Sequence, residues 1–177
     1  MIKFNKMTFE TLYETLPSIC KKKLDNLKEY RENPLYHPEE NCYEHIRIVT
    51  ERCILTQNMN LVCAGVLHDI CKCDVSEINP LTGYPKSPGH EEQAGLLIER
   101  DNQVSKWIET MGANFHIVHY LVTEHMRIKM IKEMRKSKVH RMEIHPWFPM
   151  LVVFTNFDSM RTSKEDLEYF TQKGIEL

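Results

Sequence analysis

The sequence predicts an all-α protein, folded as a single helical bundle. Three observations support this prediction. Apolar residues recur at helical spacing through most of the 177 residues, sustained alternation of apolar and polar residues is missing, and stretches with Pro or Gly separate the helical segments. A chain of this length can bury one good core, so we expect one domain over residues 1–177.

The first half of the chain contains three predicted helical segments. Residues 8–31 carry leucines near a 3.6-residue period, and Pro17 interrupts the run. After a loop with two prolines, residues 42–55 (CYEHIRIVTERCIL) form an amphipathic pattern that ends near residue 58. Residues 60–73 (NLVCAGVLHDICKC) are apolar nearly all round up to His68. This pattern predicts a helix that crosses the core and reaches the surface at its polar end.

The second half begins with a loop rich in Pro, Gly and Ser at residues 78–89. Residues 90–112 predict one or two helices closed by a glycine, and residues 114–134 predict a longer one. Residues 146–161 have the length of a helix, although their β-branched residues would also suit a strand. A last helix is expected at residues 165–173, behind a serine that resembles an N-cap.

Charge and hydropathy limit the classes of partner. The chain has 23 Lys and Arg against 25 Asp and Glu, so no global field favours nucleic acid or acidic membranes, and any such contact must be local. No run of about 18 apolar residues suits a bilayer, and the first residues lack the apolar core of a signal peptide. We therefore expect a soluble cytoplasmic protein with no membrane partner.

Residues 62–74 (VCAGVLHDICKCD) are the densest group of potential metal ligands. Cys63, Cys71 and Cys73 could form a thiolate site, whereas His68 and Asp69 could form a site of imidazole and carboxylate. On a helix, residues two apart point roughly 200° away from each other, so Cys71 and Cys73 would not converge on one ion. We favour the imidazole and carboxylate site and expect buried, reduced thiols.

A cation and two further ligands join this pair. Lys72 follows His68 and Asp69 by about one helical turn, where an ammonium can hold a phosphate oxygen beside a metal. Upstream, His45 lies in the middle of the helix predicted at residues 42–55. Downstream, Asp158 ends an apolar segment, and a carboxylate there is costly to bury unless it is paired or coordinated.

These residues resemble the HD-domain metal-dependent phosphohydrolases. The family's order of a histidine, an adjacent His-Asp pair and a distant aspartate is matched by His45, His68 with Asp69, and Asp158. LHDICK is similar to the family's LHDIGK, with Cys71 in place of the glycine, and HPEENCYEH is similar to the segment around its first histidine. GHEEQAG resembles the HD domain of bacterial CCA-adding enzymes, and the resemblance covers about residues 34–161.

The resemblance implies a metal site and several residue roles. The expected cofactor is a divalent transition metal (Mn, Ni, Co, Fe or Zn), because borderline ions suit mixed nitrogen and oxygen ligands. One bound ion is favoured, and two are possible. Asp69 and Lys72 are the expected catalytic residues. His90 and His125 would bind phosphate or a second metal. The expected metal ligands are His45, His68, Asp69 and Asp158.

The implied activity is hydrolysis of a phosphate ester on a nucleotide or an RNA end, as a 2′,3′-cyclic phosphodiesterase, 2′-nucleotidase or phosphatase. Two alternatives stay open. The first is a deoxynucleotide phosphohydrolase, and the second is a non-catalytic module that binds nucleotide or RNA. The expected partner is therefore a small phosphorylated substrate, a nucleotide or an RNA end. No protein partner is expected, and the sequence leaves the oligomeric state open.

A basic segment at residues 127–141 (RIKMIKEMRKSKVHR) has seven Lys or Arg against one Glu. A solvated helix face is the ordinary interpretation; the functional one is that the segment brings cations near the metal for phosphate-bearing substrates. The remaining histidines, which include His145, are interpreted as ordinary surface or core residues. The expected substrate-binding residues are Lys132, Lys136, Lys138 and Arg161.

Overall fold

The computed structural model describes residues 6–35 and 37–159, and these ranges contain nine α-helices and one two-stranded sheet. The predicted all-α class is confirmed. Within these ranges no helix is both long enough and apolar enough to cross a bilayer. The helices are α1 (Phe9–Thr15), α2 (Ser18–Asn26), α3 (Cys42–Leu55), α4 (Met59–Leu67), α5 (His90–Arg100), α6 (Asn102–Thr110), α7 (Phe115–Lys129), α8 (Lys136–Glu143) and α9 (Phe148–Asp158).

Local sequence explains where most helices begin. Pro17 separates α1 from α2, and α3 covers the segment predicted at residues 42–55. Side-chain oxygens of Asn41, Asn58 and Asn114 accept hydrogen bonds from the first free backbone N–H groups of α3, α4 and α7. Such N-caps satisfy donors that have no partner inside a helix.

The core is organised around α4, which packs against α3, α7 and α9. All residues from 61 to 67 are buried. Helix α5 packs against α7, and the two backbones approach closely at Gly95, where an added Cβ would lie 2.6 Å from Thr123 Cγ2. No larger side chain fits there without a shift. This close approach brings the first turn of α5 towards the second half of α7.

The helix predicted over residues 60–73 is shorter than expected. Helix α4 ends at Leu67; residues 68–71 turn, and a 3₁₀ helix follows at Lys72–Val75. The end of this segment does not reach the surface, since His68 is 0% and Asp69 2% exposed. The apolar pattern continues beyond the true helix end because helices α7 and α9 cover this turn. The prediction of a polar end at the surface was therefore wrong.

Other boundaries also differ. Residues 90–112 form two helices, α5 and α6, while the described part of the segment predicted at residues 146–161, up to residue 159, contributes helix α9 and no strand. The helix expected at residues 114–134 ends at Lys129, and a further helix, α8, begins inside the basic segment. Within the predicted loop, strands β1 (Glu77–Ile78) and β2 (Pro85–Lys86) pair antiparallel. The helix expected at residues 165–173 and Arg161 lie outside the described residues.

Candidate metal centre

Four side chains from three parts of the chain converge in the core. His45 comes from the middle of α3, His68 and Asp69 from the turn after α4, and Asp158 from the end of α9. His45 Nε2 lies 3.0 Å from Asp158 Oδ1 and 3.7 Å from Asp69 Oδ2. His68 Nε2 lies 3.3 Å from Asp69 Oδ2 and 3.6 Å from Asp158 Oδ1.

These separations fit the spacing of ligands around one ion. Ligand atoms about 2.1 Å from a metal lie roughly 3.0–3.4 Å apart in octahedral or tetrahedral geometry. His45, His68, Asp69 and Asp158 are all buried, and one ligand atom from each lies within 4.8 Å of the others. This group could therefore hold a metal ion.

Hydrogen bonds fix which ring nitrogen of each histidine faces the centre. His68 Nδ1 lies 2.9 Å from the carbonyl oxygen of Gly65, and His45 Nδ1 lies 2.8 Å from Glu39 Oε1. A carbonyl oxygen can only accept, so Nδ1 of His68 carries a proton and Nε2 of the neutral ring offers a lone pair. This arrangement, a second-shell acceptor on Nδ1 and a carboxylate-lined space at Nε2, is typical of metal-binding histidines.

Positive groups surround the two carboxylates of the centre. Burial by itself lowers the pKa of His68, but the negative charges of Asp69 and Asp158 outweigh it and raise this pKa to about 9. Burial alone would raise the pKa of Asp158, but the charge of Lys129 and the hydrogen bond from His45 hold it well below its usual value. Lysines and a proton on His68 thus compensate the two ionised carboxylates, and a metal ion bound at His68 Nε2 would take the place of that proton.

A second group shares Asp69. Its other oxygen, Oδ1, lies 2.9 Å from His90 Nε2 and 3.6 Å from His125 Nε2. Nδ1 of His90 donates to the carbonyl of Ser87 (2.8 Å), and Nδ1 of His125 donates to the carbonyl of Val122 (2.7 Å). The two Nε2 atoms are 3.3 Å apart. In the neutral rings both would present lone pairs to each other, and a cation between them would remove that repulsion.

Two ammonium groups border the centre. Lys72 Nζ lies 2.8 Å from Asp69 Oδ2 and 2.9 Å from Glu32 Oε2, and Lys72 is only 5% exposed. Lys129 Nζ, at the end of α7, lies 2.6 Å from Asp158 Oδ2. Lys72 therefore stands beside Asp69 as expected, although a 3₁₀ helix and not a continuous α-helix places it there. Both ammonium groups are paired with carboxylates.

A pocket of about 360 Å³ opens over the centre. Asp69, Asp158 and His90 lie at its wall, together with the three lysines Lys72, Lys86 and Lys129. Glu32 also lines the pocket, so the three lysines face three carboxylates, and a bound metal ion would make the site attractive to an anion. Cavities of this volume are usual for small-molecule sites.

No family model, no curated protein and no solved structure matches this chain. What this site can do chemically therefore has to be argued from its own residues: two carboxylates, four imidazoles and several lysines around one buried centre.

The structure separates the predicted substrate-binding residues from this pocket. Lys132, Lys136 and Lys138 are exposed on the surface, and none of them lines the pocket over the centre. Lys129, from the same basic segment, does line it. The excess of basic residues indicated a cation near the metal, but only the packing of α7 decides which of them faces the centre.

Two other side chains at the centre gave no signal in the sequence. Glu32, which holds Lys72, lies 40 residues before it in the chain. Glu39, which holds His45, belongs to the HPEEN stretch, whose likeness to the family was noted but whose glutamate was given no role. Each acts through a contact made by a loop before α3, and no periodic pattern describes such a loop.

Cys63, Cys71 and Cys73 take no part in these groups; among the cysteines of the described residues, Cys42 alone joins one, with Glu32 and Asp69. Cys63 and Cys71 are buried, Cys73 is partly exposed, and all three are free thiols. In residues 6–35 and 37–159, none of the groups that could hold a metal includes any of the three. Burial raises the pKa of Cys71 to about 12, so its thiol stays protonated near neutral pH.

We expect a triple variant, Cys63→Ala, Cys71→Ala and Cys73→Ser, to retain its metal at wild-type stoichiometry, because the ligands are imidazoles and carboxylates. The measurement is metal content of the purified protein by atomic emission, beside circular dichroism to establish folding. A folded triple variant without metal would contradict the imidazole and carboxylate assignment.

Proposed function

We propose that this protein is a metal-dependent phosphohydrolase of the HD-domain type, acting on a phosphate ester of a nucleotide or an RNA end. The observation that carries the proposal is the convergence of four imidazole Nε2 atoms on Asp69, with His45 and His68 also facing Asp158. Such a buried set of nitrogen and oxygen ligands suits a borderline divalent ion such as Mn, Ni, Co, Fe or Zn.

The chain's own residues would divide the work as follows. His45, His68, Asp69 and Asp158 would hold the ion. When bound, the ion would supply Lewis acidity, which makes water a better nucleophile near neutral pH and polarises a phosphoryl oxygen.

The lysines would act on the substrate. Lys72 and Lys129 lie beside the two coordinating aspartates, and Lys86 lines the same pocket from strand β2. Their ammonium groups would bind the phosphate and neutralise the charge that grows on it in the transition state. The pocket has room for a substrate of nucleotide size.

The likeness of GHEEQAG to the HD domain of CCA-adding enzymes supports an RNA-end substrate, either a 2′,3′-cyclic phosphate or a 2′-phosphate. A deoxynucleotide is the alternative within the same chemistry. A non-catalytic module that binds nucleotide or RNA is the alternative from another class. In either class a phosphate must compete for Lys72 and Lys129, which are already paired with carboxylates.

A substrate screen tests the proposal. Purified protein is loaded with each of the five metals and incubated with 2′,3′-cyclic nucleotides, with 2′-, 3′- and 5′-monophosphates and with deoxynucleoside triphosphates. We expect metal-dependent release of phosphate or ring opening with the ribonucleotide esters. Preferred hydrolysis of deoxynucleotides would select the first alternative, and tight nucleotide binding without any turnover would select the binding module.

The number of ions is a separate prediction. We expect one tightly held ion at His45, His68, Asp69 and Asp158, because the second group offers only His90, His125 and the shared Asp69. Fewer ligands give weaker binding, and His90 and His125 would then contact phosphate.

Metal titration followed by atomic emission measures the stoichiometry. A double variant, His90→Ala with His125→Ala, is expected to keep one ion per chain. Near-equal occupancy of two ions in active protein, with one ion lost in the double variant, would show a two-metal site instead.

A further inference from the structure

A second polar pocket lies between α7 and α8, with a volume of about 230 Å³. Tyr120, Glu124 and Arg127 line it from α7, where spacings of four and three residues place them on one helix face. His125, which faces the metal centre, is two residues from Arg127 and so points roughly 200° away from it. The two pockets therefore lie on different faces of the same helix.

The charge of this second pocket is positive. Lys138 and Arg141 line it from α8, three residues apart and on the same face as each other. Among the described residues, Glu124 is the only carboxylate that lines the pocket, and Arg127 Nη1 lies 3.2 Å from each of its oxygens. In the described ranges, Lys138 and Arg141 form no ion pair that would compensate them. Bringing these cations together is unfavourable unless an anion joins them.

Tyr120 and His145 add hydrogen-bonding groups to the lining, beside Met142. The rings of Tyr120 and His145 stack with centroids 4.1 Å apart and planes within 7°. His145 Nδ1 accepts a hydrogen bond from the backbone N–H of Trp147 (3.3 Å), so in the neutral ring Nε2 carries the proton and is a donor. The hydroxyl oxygen of Tyr120 is buried and has no hydrogen-bond partner among the residues that the structure describes.

The hydroxyl of Tyr120 is suited to donate. Burial and the charge of Glu124 raise the pKa of Tyr120 to about 12, so the proton stays on the oxygen near neutral pH. The ring is fixed between His145 and the edge of Trp147, whose centroid is 5.7 Å from that of Tyr120. Because the ring is already fixed, a ligand that binds this hydroxyl causes little further loss of conformational entropy.

We propose that this pocket binds a phosphate group, either of a free nucleotide or of a polynucleotide strand. Three cations against one carboxylate, with the donors of Tyr120 and His145, match a group that has several acceptor oxygens and carries negative charge. A guanidinium such as that of Arg141 can bind two phosphate oxygens at once. The proposal requires neither a metal nor catalysis, and so it can fail or succeed independently of the proposed hydrolytic function.

The test uses the fluorescence of Trp147, whose ring centroid lies 5.2 Å from that of His145. The other tryptophan, Trp107, is replaced by Phe to isolate the signal. The metal-free full chain is titrated with inorganic phosphate and, separately, with a short oligouridylate that lacks terminal phosphates. We expect a saturable change with inorganic phosphate. A response to the oligouridylate at lower concentration assigns the pocket to a polynucleotide backbone, and its absence assigns it to free phosphates.

Matched variants distinguish phosphate binding in this pocket from nonspecific attraction by positive charge on the protein surface. Arg141→Ala and Tyr120→Phe are expected to weaken phosphate binding, by about tenfold for the guanidinium and less for the hydroxyl. Lys136→Ala removes the same charge from the same helix but does not line the pocket. This control should keep the affinity within about twofold. No saturable signal, or an equal loss in the Lys136→Ala control, overturns the proposal.

Discussion

Asp69→Asn is expected to abolish stoichiometric metal binding and to lower turnover of the phosphate ester by about 10³-fold, the upper end of what one electrostatic contact supplies. Asp69 Oδ2 faces His45 and His68, while Oδ1 faces His90 and His125. An asparagine keeps the shape but removes the charge, and its amide nitrogen must point at one of the two histidine pairs. The measurements are metal content and hydrolysis of the best substrate from the screen.

Asp74→Asn is the matched control. Asp74 is five residues further on, is exposed and forms an ion pair with Lys23 away from the centre. The same substitution there should leave metal content and turnover unchanged. An Asp69→Asn protein that keeps both its metal and wild-type turnover would show that Asp69 is not the shared ligand.

Lys72→Met is expected to keep the metal and to lower turnover by about 10²-fold, the scale of one lost transition-state contact. Its ammonium lies beside Asp69 at the wall of the pocket, where it can reach a phosphate oxygen. The measurements are again metal content and turnover, with KM and kcat separated. Turnover equal to that of the wild type would exclude the role.

Lys72 also has a structural role, and a second variant separates the two. Removing the ammonium takes the nearest cation from Glu32 in a nearly buried place and removes one of several positive partners of Asp69, which should cost about 3 kcal/mol in the free energy of unfolding. Combining Lys72→Met with Glu32→Gln removes the lone charge at Glu32 and should restore part of that stability. Turnover should stay low in the double variant. Recovery of turnover together with stability would mean that Lys72 only supports the fold.

Sequence reasoning succeeded where the signal was local or ordered along the chain. Helix α3 was predicted where the structure has it, although its end was expected near residue 58, because an amphipathic period marks the segment. The grouping of His45, His68, Asp69 and Asp158 was expected from their types and order, and the structure brings all four together. The cysteine interpretation followed from side-chain direction, although the helix on which it relied ends at Leu67.

The remaining features depend on tertiary contacts that no local pattern encodes. The end of α4 was missed because buried residues continue through the turn after it. Lys129 was one of seven basic residues in its segment, and only the rotation of α7 sets it apart. Glu32 reaches Lys72 from a loop. The stacked pair of Tyr120 and His145 joins α7 to the residues after α8, and His145 was taken for an ordinary histidine.

The contact between His45 and Asp158 joins residues that are 113 positions apart. During synthesis, His45, His68 and Asp69 emerge from the ribosome long before Asp158, since a chain grows by about 5–20 residues per second. For several seconds the nascent chain would thus carry an incomplete centre, with histidines that lack their second carboxylate. We expect the final ligand set to close only after α9 has been made, so metal loading would mark the end of folding. Truncation before residue 158 should yield a chain that does not acquire its ion.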